Sequence, residues 1–309
     1  MLKPSKYFRV SITTRCNLSC FFCHREGSTG ISEEELSPAA LELACVAARL
    51  EGFEKFKLTG GEPLVRRDIC EIVARLAAME LPDFSMITNG TLLVDYAAAL
   101  WGAGLRRLNV TLNTLDERRF QQLQAGQRVP LARVLDGIAA ARRAGFQNIK
   151  INFVYLGSES DADLDALLQY SADEGHILVV LPLLGISVSN PLDLLYKKLG
   201  TYGIIEETPQ IDAEGIRRRL LRLFGGARVL LRMDALSQCK PYKFCDQCDT
   251  KEACQEGIFP IRLSAYGELI PCMANATHRR SVKEQLAVGD LEDVRQLLSE
   301  IRGWYRVKP

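Results

Sequence analysis

Six times in its first 183 residues, the chain passes from a short apolar or alternating run to a longer amphipathic one. Phe8, Val10 and Ile12 alternate with polar residues, so residues 7–13 read as a strand. Ser37-Pro38 supplies a helix N-cap and a proline suited to the first helical position. The apolar face that follows over 39–50 stops at Gly52. A strand over 56–59 comes next, then a helix capped by Asp68 and running to about residue 79. Strands over 84–88, 108–112, 149–155 and 177–183 alternate with helices over 94–101, 116–123, 131–144 and 162–174. Repeats of about 25–40 residues with this alternation imply parallel strands joined by right-handed crossovers. Six units fall short of a closed eightfold barrel, so the expected class is α/β, a partial (β/α)6 TIM-like barrel. A doubly wound sheet is the competitor, but the chain has no G-x-G-x-x-G turn for a dinucleotide.

Beyond residue 183 the pattern thins. Residues 184–211 lack periodicity, 216–223 read as helix, and 227–231 as strand. Residues 259–263 and 268–270 flank Ala265-Tyr266-Gly267, a hairpin with glycine at its turn. A helix over 291–301 closes the chain. Five of the ten cysteines fall in this region: Cys239, Cys245, Cys248, Cys254 and Cys272. The expected division is a core domain over 1–234 and a small metal-bearing domain over 235–309.

Three more cysteines, Cys16, Cys20 and Cys23, lie within eight residues in the spacing C-x3-C-x2-C, directly after the first strand. A hairpin disulfide needs only two thiols, and a tetrahedral zinc site needs a fourth ligand. Three thiolates in one short loop suit a cubane iron–sulfur cluster with its fourth iron left open. A zinc knuckle borrowing His24, or three unrelated core cysteines, fits the spacing too. Cys45 and Cys70 stand alone in helical patterns and read as buried small apolar residues.

A hydrophobic content of 47% and a net charge of +1 describe a globular chain without a general attraction to nucleic acid or anionic membranes. No run approaches the ~18 apolar residues of a membrane span, and Met1-Leu-Lys-Pro-Ser-Lys holds no signal-peptide core. The expected compartment is the cytoplasm, where clustered cysteines serve as ligands rather than disulfides.

The cysteine loop resembles the signature of the radical S-adenosylmethionine (SAM) enzymes, C-x3-C-x-aromatic-C, with Phe22 as the aromatic. Leu58-Thr59-Gly60-Gly61-Glu62-Pro63 is similar to the GGEP motif of that family. The resemblance implies a catalytic [4Fe–4S] cluster on Cys16, Cys20 and Cys23, with the open iron chelated by SAM. It places Gly60, Gly61 and Glu62 beside the SAM amino group; a glycine pair permits such a close backbone approach. Thr88, Thr111 and Asn113 match positions that contact SAM's ribose or methionine moiety, and they equally suit turn capping. Asn152, a polar residue in an apolar strand, is expected to face the lumen and SAM. The family draws its electrons from an external one-electron donor of flavodoxin or ferredoxin type. Its reaction is reductive cleavage of SAM to a 5′-deoxyadenosyl radical that abstracts hydrogen from substrate.

Residues 109–116, 118–120, Gly126, 134–138, 144–146 and 149–152, all in register, resemble the GTP 3′,8-cyclases of molybdenum cofactor biosynthesis, as do 245–248, 261–269 and Cys272. That likeness implies a second [4Fe–4S] cluster on Cys245, Cys248 and Cys272. Arg15 and Lys150 match phosphate contacts, and Arg262 matches the second arginine of a GTP-gripping pair. Pro260 stands where the first arginine belongs, an insertion brings in Cys254, and the chain ends Val307-Lys308-Pro309 rather than Gly-Gly. Cys254 is expected to be a fourth ligand that closes the second cluster, with Cys239 as competitor or hydrogen-donating thiol. A zinc ribbon on the same cysteines is the alternative.

The expected function is therefore radical SAM chemistry on a small polar, nucleotide- or sugar-like molecule, with the GTP 3′,8-cyclase reaction as the alternative. A peptide-modifying enzyme would carry an added N-terminal recognition domain, and the first strand here begins near residue 7. A non-catalytic electron-transfer protein would need neither the barrel nor the GGEP motif.

Overall fold

A computed structural model describes residues 5–27, 34–124, 128–183, 191–211, 217–232, 242–249, 260–273 and 275–305. The expected alternation is present. Strands β1 (Tyr7–Ser11), β2 (Lys55–Thr59) and β3 (Asp83–Thr88) are separated by helices α1 (Pro38–Leu50) and α2 (Ile69–Ala78). Helix α3 (Leu93–Gly102) leads to β4 (Leu108–Thr111). Helices α4 (Glu117–Leu123) and α5 (Leu131–Ala144) lead to β5 (Lys150–Tyr155), and α6 (Asp161–Asp173) leads to β6 (Ile177–Pro182). Strands β1 to β6 lie side by side in chain order, every pair parallel. A doubly wound sheet must reverse its strand order partway. This one never does, so it is singly wound and open, of the partial-barrel kind.

One face of the sheet carries Phe8, Val10, Phe56, Leu58, Val110, Ile151 and Phe153, all buried among the helices. Fully burying such side chains contributes about 1.5–3 kcal/mol each. Ser37 caps α1 as expected, its Oγ accepting the Ala40 N–H at 3.2 Å. Asp68 does not cap α2; its carboxylate is taken by Arg66, whose Nε donates to Oδ1 at 2.8 Å.

The sheet continues at both edges. After α7 (Pro191–Gly200), strands β7 (Ile204–Ile211), β8 (Arg217–Leu223) and β9 (Arg228–Arg232) form an antiparallel meander, and β9 adds parallel to β6. Two expectations fail here. The helix expected over 216–223 is strand β8, and the stretch expected to lack structure contains α7 and β7. Arg217–Leu223 is too short for apolar spacing to separate the two periods, so pairing with β7 and β9 decides. β7 lies at the sheet edge with both faces largely in solvent, and Pro209 is tolerated there. An edge strand of that kind leaves no hydrophobic alternation to read.

At the other edge, β10 (Ile261–Leu263) pairs parallel to β1. β11 (Glu268–Ile270) and β12 (Arg280–Ser281) extend the sheet antiparallel, and the hairpin turns at Gly267 as expected. Helices α8 (Lys283–Val288) and α9 (Leu291–Gly303) follow, with buried Val294, Leu298 and Ile301 on α9.

Candidate active site in the barrel lumen

The three N-terminal thiols sit at the C-terminal end of β1, and none is bridged. Cys16 and Cys23 are exposed and Cys20 is half-buried. Burial and the neighbouring thiols Cys16 and Cys23 push the Cys20 thiol up to about 12. Crowded thiols that suppress one another's ionisation are poised to release protons to a cationic metal group. The backbone already points donors at the sulfurs. Leu18 N–H faces Cys16 Sγ and Arg25 N–H faces Cys23 Sγ, both at 3.4 Å, and Asn89 Nδ2 lies 3.9 Å from Cys16 Sγ. Such N–H···S contacts orient thiolate ligands and tune a cluster. Among the described residues no three His, Cys, Asp or Glu side chains are gathered to hold a single metal ion, whereas a cubane takes each thiolate of such a loop at a different iron. Phe22 packs edge-on against Phe21, ring centroids 5.3 Å apart, and Phe21 stays 59% exposed.

The Gly-Gly-Glu-Pro turn is fastened to this loop. Gly61 N–H donates to Thr13 O and Glu62 N–H to Arg15 O, each at 2.8 Å. Gly60 has φ +149°, and a Cβ there would lie 2.4 Å from Thr13 O. A Cβ on Gly61 would lie 2.1 Å from Arg15 O. Glycine is therefore required for the approach of two backbones, one of which carries the cysteines. The ligand approach expected of this pair adds to that constraint.

Glu62 is fully buried. Its oxygens accept the Thr88 hydroxyl (2.7 Å), the Asn89 N–H (2.7 Å) and the Leu64 N–H (3.0 Å). Burial outweighs these donors and raises its pKa to about 7. Thr88 is thus spent on Glu62. Asn113 Oδ1 accepts Val154 N–H at 2.8 Å, and Asn152 Oδ1 accepts Asn109 Nδ2 at 3.0 Å. Thr111 stands opposite Asn152 across β4 and β5.

Arg66 is buried, unlike its exposed neighbour Arg67. Its Nη1 donates to Ile12 O (2.8 Å) and Leu36 O (3.0 Å), the two ends of the segment that bears the cysteine loop.

Side chains alternate across a strand. With Phe8, Phe56 and Ile151 in the core, Arg9, Lys57, Lys150 and Asn152 face the lumen. Arg9 stands level with Lys57 on β2 and Arg262 on β10. Burial, then Lys55, Arg9 and Lys150, depress the Lys57 ammonium well below its ordinary value. Burial and the charges of Arg107, Lys55 and Arg218 bring Lys150 down to about 8. The carboxylates near these cations include Asp83 and Glu26, and the latter pairs with Arg9 and lies 3.7 Å from Arg262. Such cations concentrate positive potential on the lumen face. Arg15 lies instead at the exposed rim, paired with Glu35 (Nη2–Oε2 3.0 Å). Arg9, Lys55 and Lys57 are site residues that motif matching passes over. Their signal is cations at alternate positions in otherwise apolar strands, Phe8-Arg9-Val10 and Lys55-Phe56-Lys57-Leu58.

Cys245 and Cys248 lie at a tight turn, with Cys248 N–H facing Cys245 O at 3.4 Å. Phe244 stacks between Tyr242 (4.7 Å) and His278 (3.8 Å) and anchors that turn beside Trp304 of the C-terminal segment. Cys272 follows β11, which runs antiparallel to β10, so it lies toward the starting ends of the parallel strands. Cys239 and Cys254 lie outside the described residues. Among the described residues, no helix is long and apolar enough to cross a membrane.

The sequence matches the model of the radical SAM superfamily over residues 10–170, more than half its length. The chain belongs to that superfamily and is an enzyme of it, and the family implies a [4Fe–4S] cluster and SAM. Its relatives make the kinship more particular. The probable GTP 3′,8-cyclase of Methanothermobacter marburgensis is 32% identical over 305 residues, covering 96% of this chain and 94% of its own. The GTP 3′,8-cyclase of a Nostoc species is 32% identical over 323 residues, with coverage of 98% and 91%. Among solved structures, Streptococcus suis SuiB bound to S-adenosylmethionine superposes with a TM-score of 0.64 at 15% identity, covering 93% of this chain and 66% of that one. Native anSMEcpe with bound AdoMet gives 0.58 at 14%, with coverage of 97% and 84%. These two likenesses speak to the fold.

Proposed function

We propose that this chain is a GTP 3′,8-cyclase-type enzyme that binds its substrate as a polyanion in the barrel lumen. The cation row Arg262–Arg9–Lys57, with Lys55 and Lys150 nearby, carries this reading. A neutral sugar or peptide substrate gives no reason to gather cations on one buried face, where burial first and neighbouring charges second depress Lys57 and Lys150. Relatives named for GTP point to a triphosphate as that anion.

In this proposal Cys16, Cys20 and Cys23 hold the catalytic [4Fe–4S] cluster, and Gly60, Gly61, Glu62, Thr88, Thr111, Asn113 and Asn152 line the SAM side of the lumen. When bound, the cluster and SAM supply one-electron reductive cleavage and a hydrogen-abstracting 5′-deoxyadenosyl radical. The chain's own part is to position the substrate anion on Arg9, Lys57, Lys150 and Arg262 and to exclude water. Residues 235–309 form the auxiliary segment, with a second [4Fe–4S] cluster on Cys245, Cys248 and Cys272 and Cys254 as its fourth ligand. An external flavodoxin- or ferredoxin-type donor delivers the electron. Pro260, where the cyclases have arginine, favours a second reading in which another nucleotide- or sugar-phosphate substrate takes the place of GTP.

Anaerobically reconstituted protein should hold about eight irons, four for each cubane. With SAM, dithionite and GTP it should form 5′-deoxyadenosine and a cyclised GTP product together. Deoxyadenosine without consumption of GTP would transfer the assignment to the second reading. Four irons plus one zinc would remove the second cluster.

A further inference from the structure

Glu26 is a buried carboxylate for which the proposed reaction has no task. It closes the cysteine loop three residues past Cys23. Arg25 and Glu26 both adopt left-handed backbone, φ 49° and 52°. That conformation persists in non-glycine residues only where surrounding contacts enforce it. The contacts are plain. Glu26 Oε1 pairs with Arg9 and accepts the Thr59 hydroxyl at 2.9 Å, and Oε2 lies 3.7 Å from Arg262 Nε. The residue is 7% exposed. Burial acts to raise its pKa, but Arg9, His24, Arg262 and Thr59 together bring it down to about 2, so it is anionic throughout the physiological range.

We propose that Glu26 is a specificity-determining residue that competes with the substrate's anionic group for Arg9 and Arg262, and thereby couples anion binding to the geometry of the cysteine loop. This rests on the polyanion reading above. A guanidinium offers a fixed planar fork, and a phosphate that takes the Arg9 fork must displace the carboxylate already on it. A monoanion gains little by such an exchange. A group bearing several charges gains more, because Lys57 stands beside the same arginine and Lys150 lies near Lys57. Glu26 therefore sets a charge threshold that selects polyphosphates over monophosphates. Its displacement removes the contact that enforces the Arg25–Glu26 turn, and that turn is continuous with Cys23.

The test is calorimetric titration of inorganic triphosphate and inorganic phosphate into the anaerobically reconstituted full chain. Glu26→Gln should bind triphosphate about tenfold tighter than wild type, since close charge pairs of this kind couple by at least that factor. Its preference for triphosphate over phosphate should shrink. Glu26→Asp keeps the charge and should stay within about threefold of wild type. Triphosphate should shift the electron paramagnetic resonance signal of the reduced N-terminal cluster in wild type and leave it unmoved in Glu26→Gln. A purely structural Glu26 would alter neither the preference nor that shift. Equal or weaker triphosphate binding by folded Glu26→Gln overturns the proposal. Should that variant fail to fold, Thr59→Val loosens Glu26 without removing its charge and should tighten triphosphate by about two- to fivefold; no tightening is again fatal. If wild type binds neither triphosphate nor GTP, this inference and the polyanion reading fall together. If wild type binds and the variants do not tighten, only this inference falls.

Discussion

Replacing Arg66 with methionine should loosen the catalytic loop at its base. The guanidinium donates to Ile12 O at 2.8 Å and Leu36 O at 3.0 Å, and both bonds are buried. Hydrogen bonds from a charged donor contribute about 1.5–3 kcal/mol each. The methionine leaves room for a water to reach one carbonyl, which favours the lower figure. The Asp68 contact adds little, because that carboxylate is 34% exposed and solvent screens the pair. The expected loss is therefore about 3 kcal/mol, or roughly 6–12 °C in Tm for a domain of this size. Arg66→Lys retains one charged donor and should lose about half as much. Thermal unfolding of the iron-free proteins reads the stability. Iron content after reconstitution reads the loop, which should lose metal in the methionine variant, whereas the proposed second cluster on Cys245, Cys248 and Cys272 should be unaffected. A methionine variant within about 1 kcal/mol of wild type, with its full complement of iron, would show that Arg66 does not brace the loop.

Gly61→Ala places its Cβ 2.1 Å from Arg15 O, a backbone atom that cannot rotate away. It should cost about 3 kcal/mol or more and abolish N-terminal cluster loading. Gly102→Ala, with nothing within 4 Å, should be neutral or slightly stabilising, and similar losses in both variants would refute the steric account. Glu62 should make the iron-free protein less stable as pH rises. Its folded pKa of about 7 lies above the unfolded value, so the folded state holds the proton longer. The associated stability, about 3 kcal/mol, is present below pH 4.5 and lost as pH climbs through about 7. Denaturant titrations of wild type and Glu62→Gln across that window should diverge in slope, and parallel curves would mean an ordinary carboxylate.

The parallel core was legible because each strand of its buried face is apolar and each following helix has a distinct period. The β7–β8 meander was not. Its residues are polar on an edge or mixed over seven positions, and the pairing of β8 with both β7 and β9 fixes them as strand. Within the site, the motifs located the cysteine loop and the Gly-Gly-Glu-Pro turn. They could not show that the turn's glycines meet Thr13 and Arg15, a contact between segments about 45 residues apart in sequence. Arg15 drew attention by matching a phosphate contact of the cyclases, yet strand parity gives the lumen to Arg9. The buried role of Arg66 had no local signal at all, because it depends on two carbonyls from distant segments.

The openness of the sheet explains why its interior can be charged. A closed eight-stranded barrel fills its interior with layers of branched apolar side chains and leaves no place for ionised groups. Here the strands stop at six, and β10 and β9 extend the flanks without closing the ring. The lumen face is then free to carry Arg9, Lys55, Lys57 and Lys150, provided their charges are balanced. Asp83 and Glu26 are among the groups that balance them. A fold selected for stability alone would gain by replacing several of these cations with apolar residues of similar volume. Arg9 stands on the strand that leads into the cysteine loop, with Lys57 level with it, which ties the charge to what the lumen must hold. That cost is the strongest physical reason to seek the substrate among polyanions.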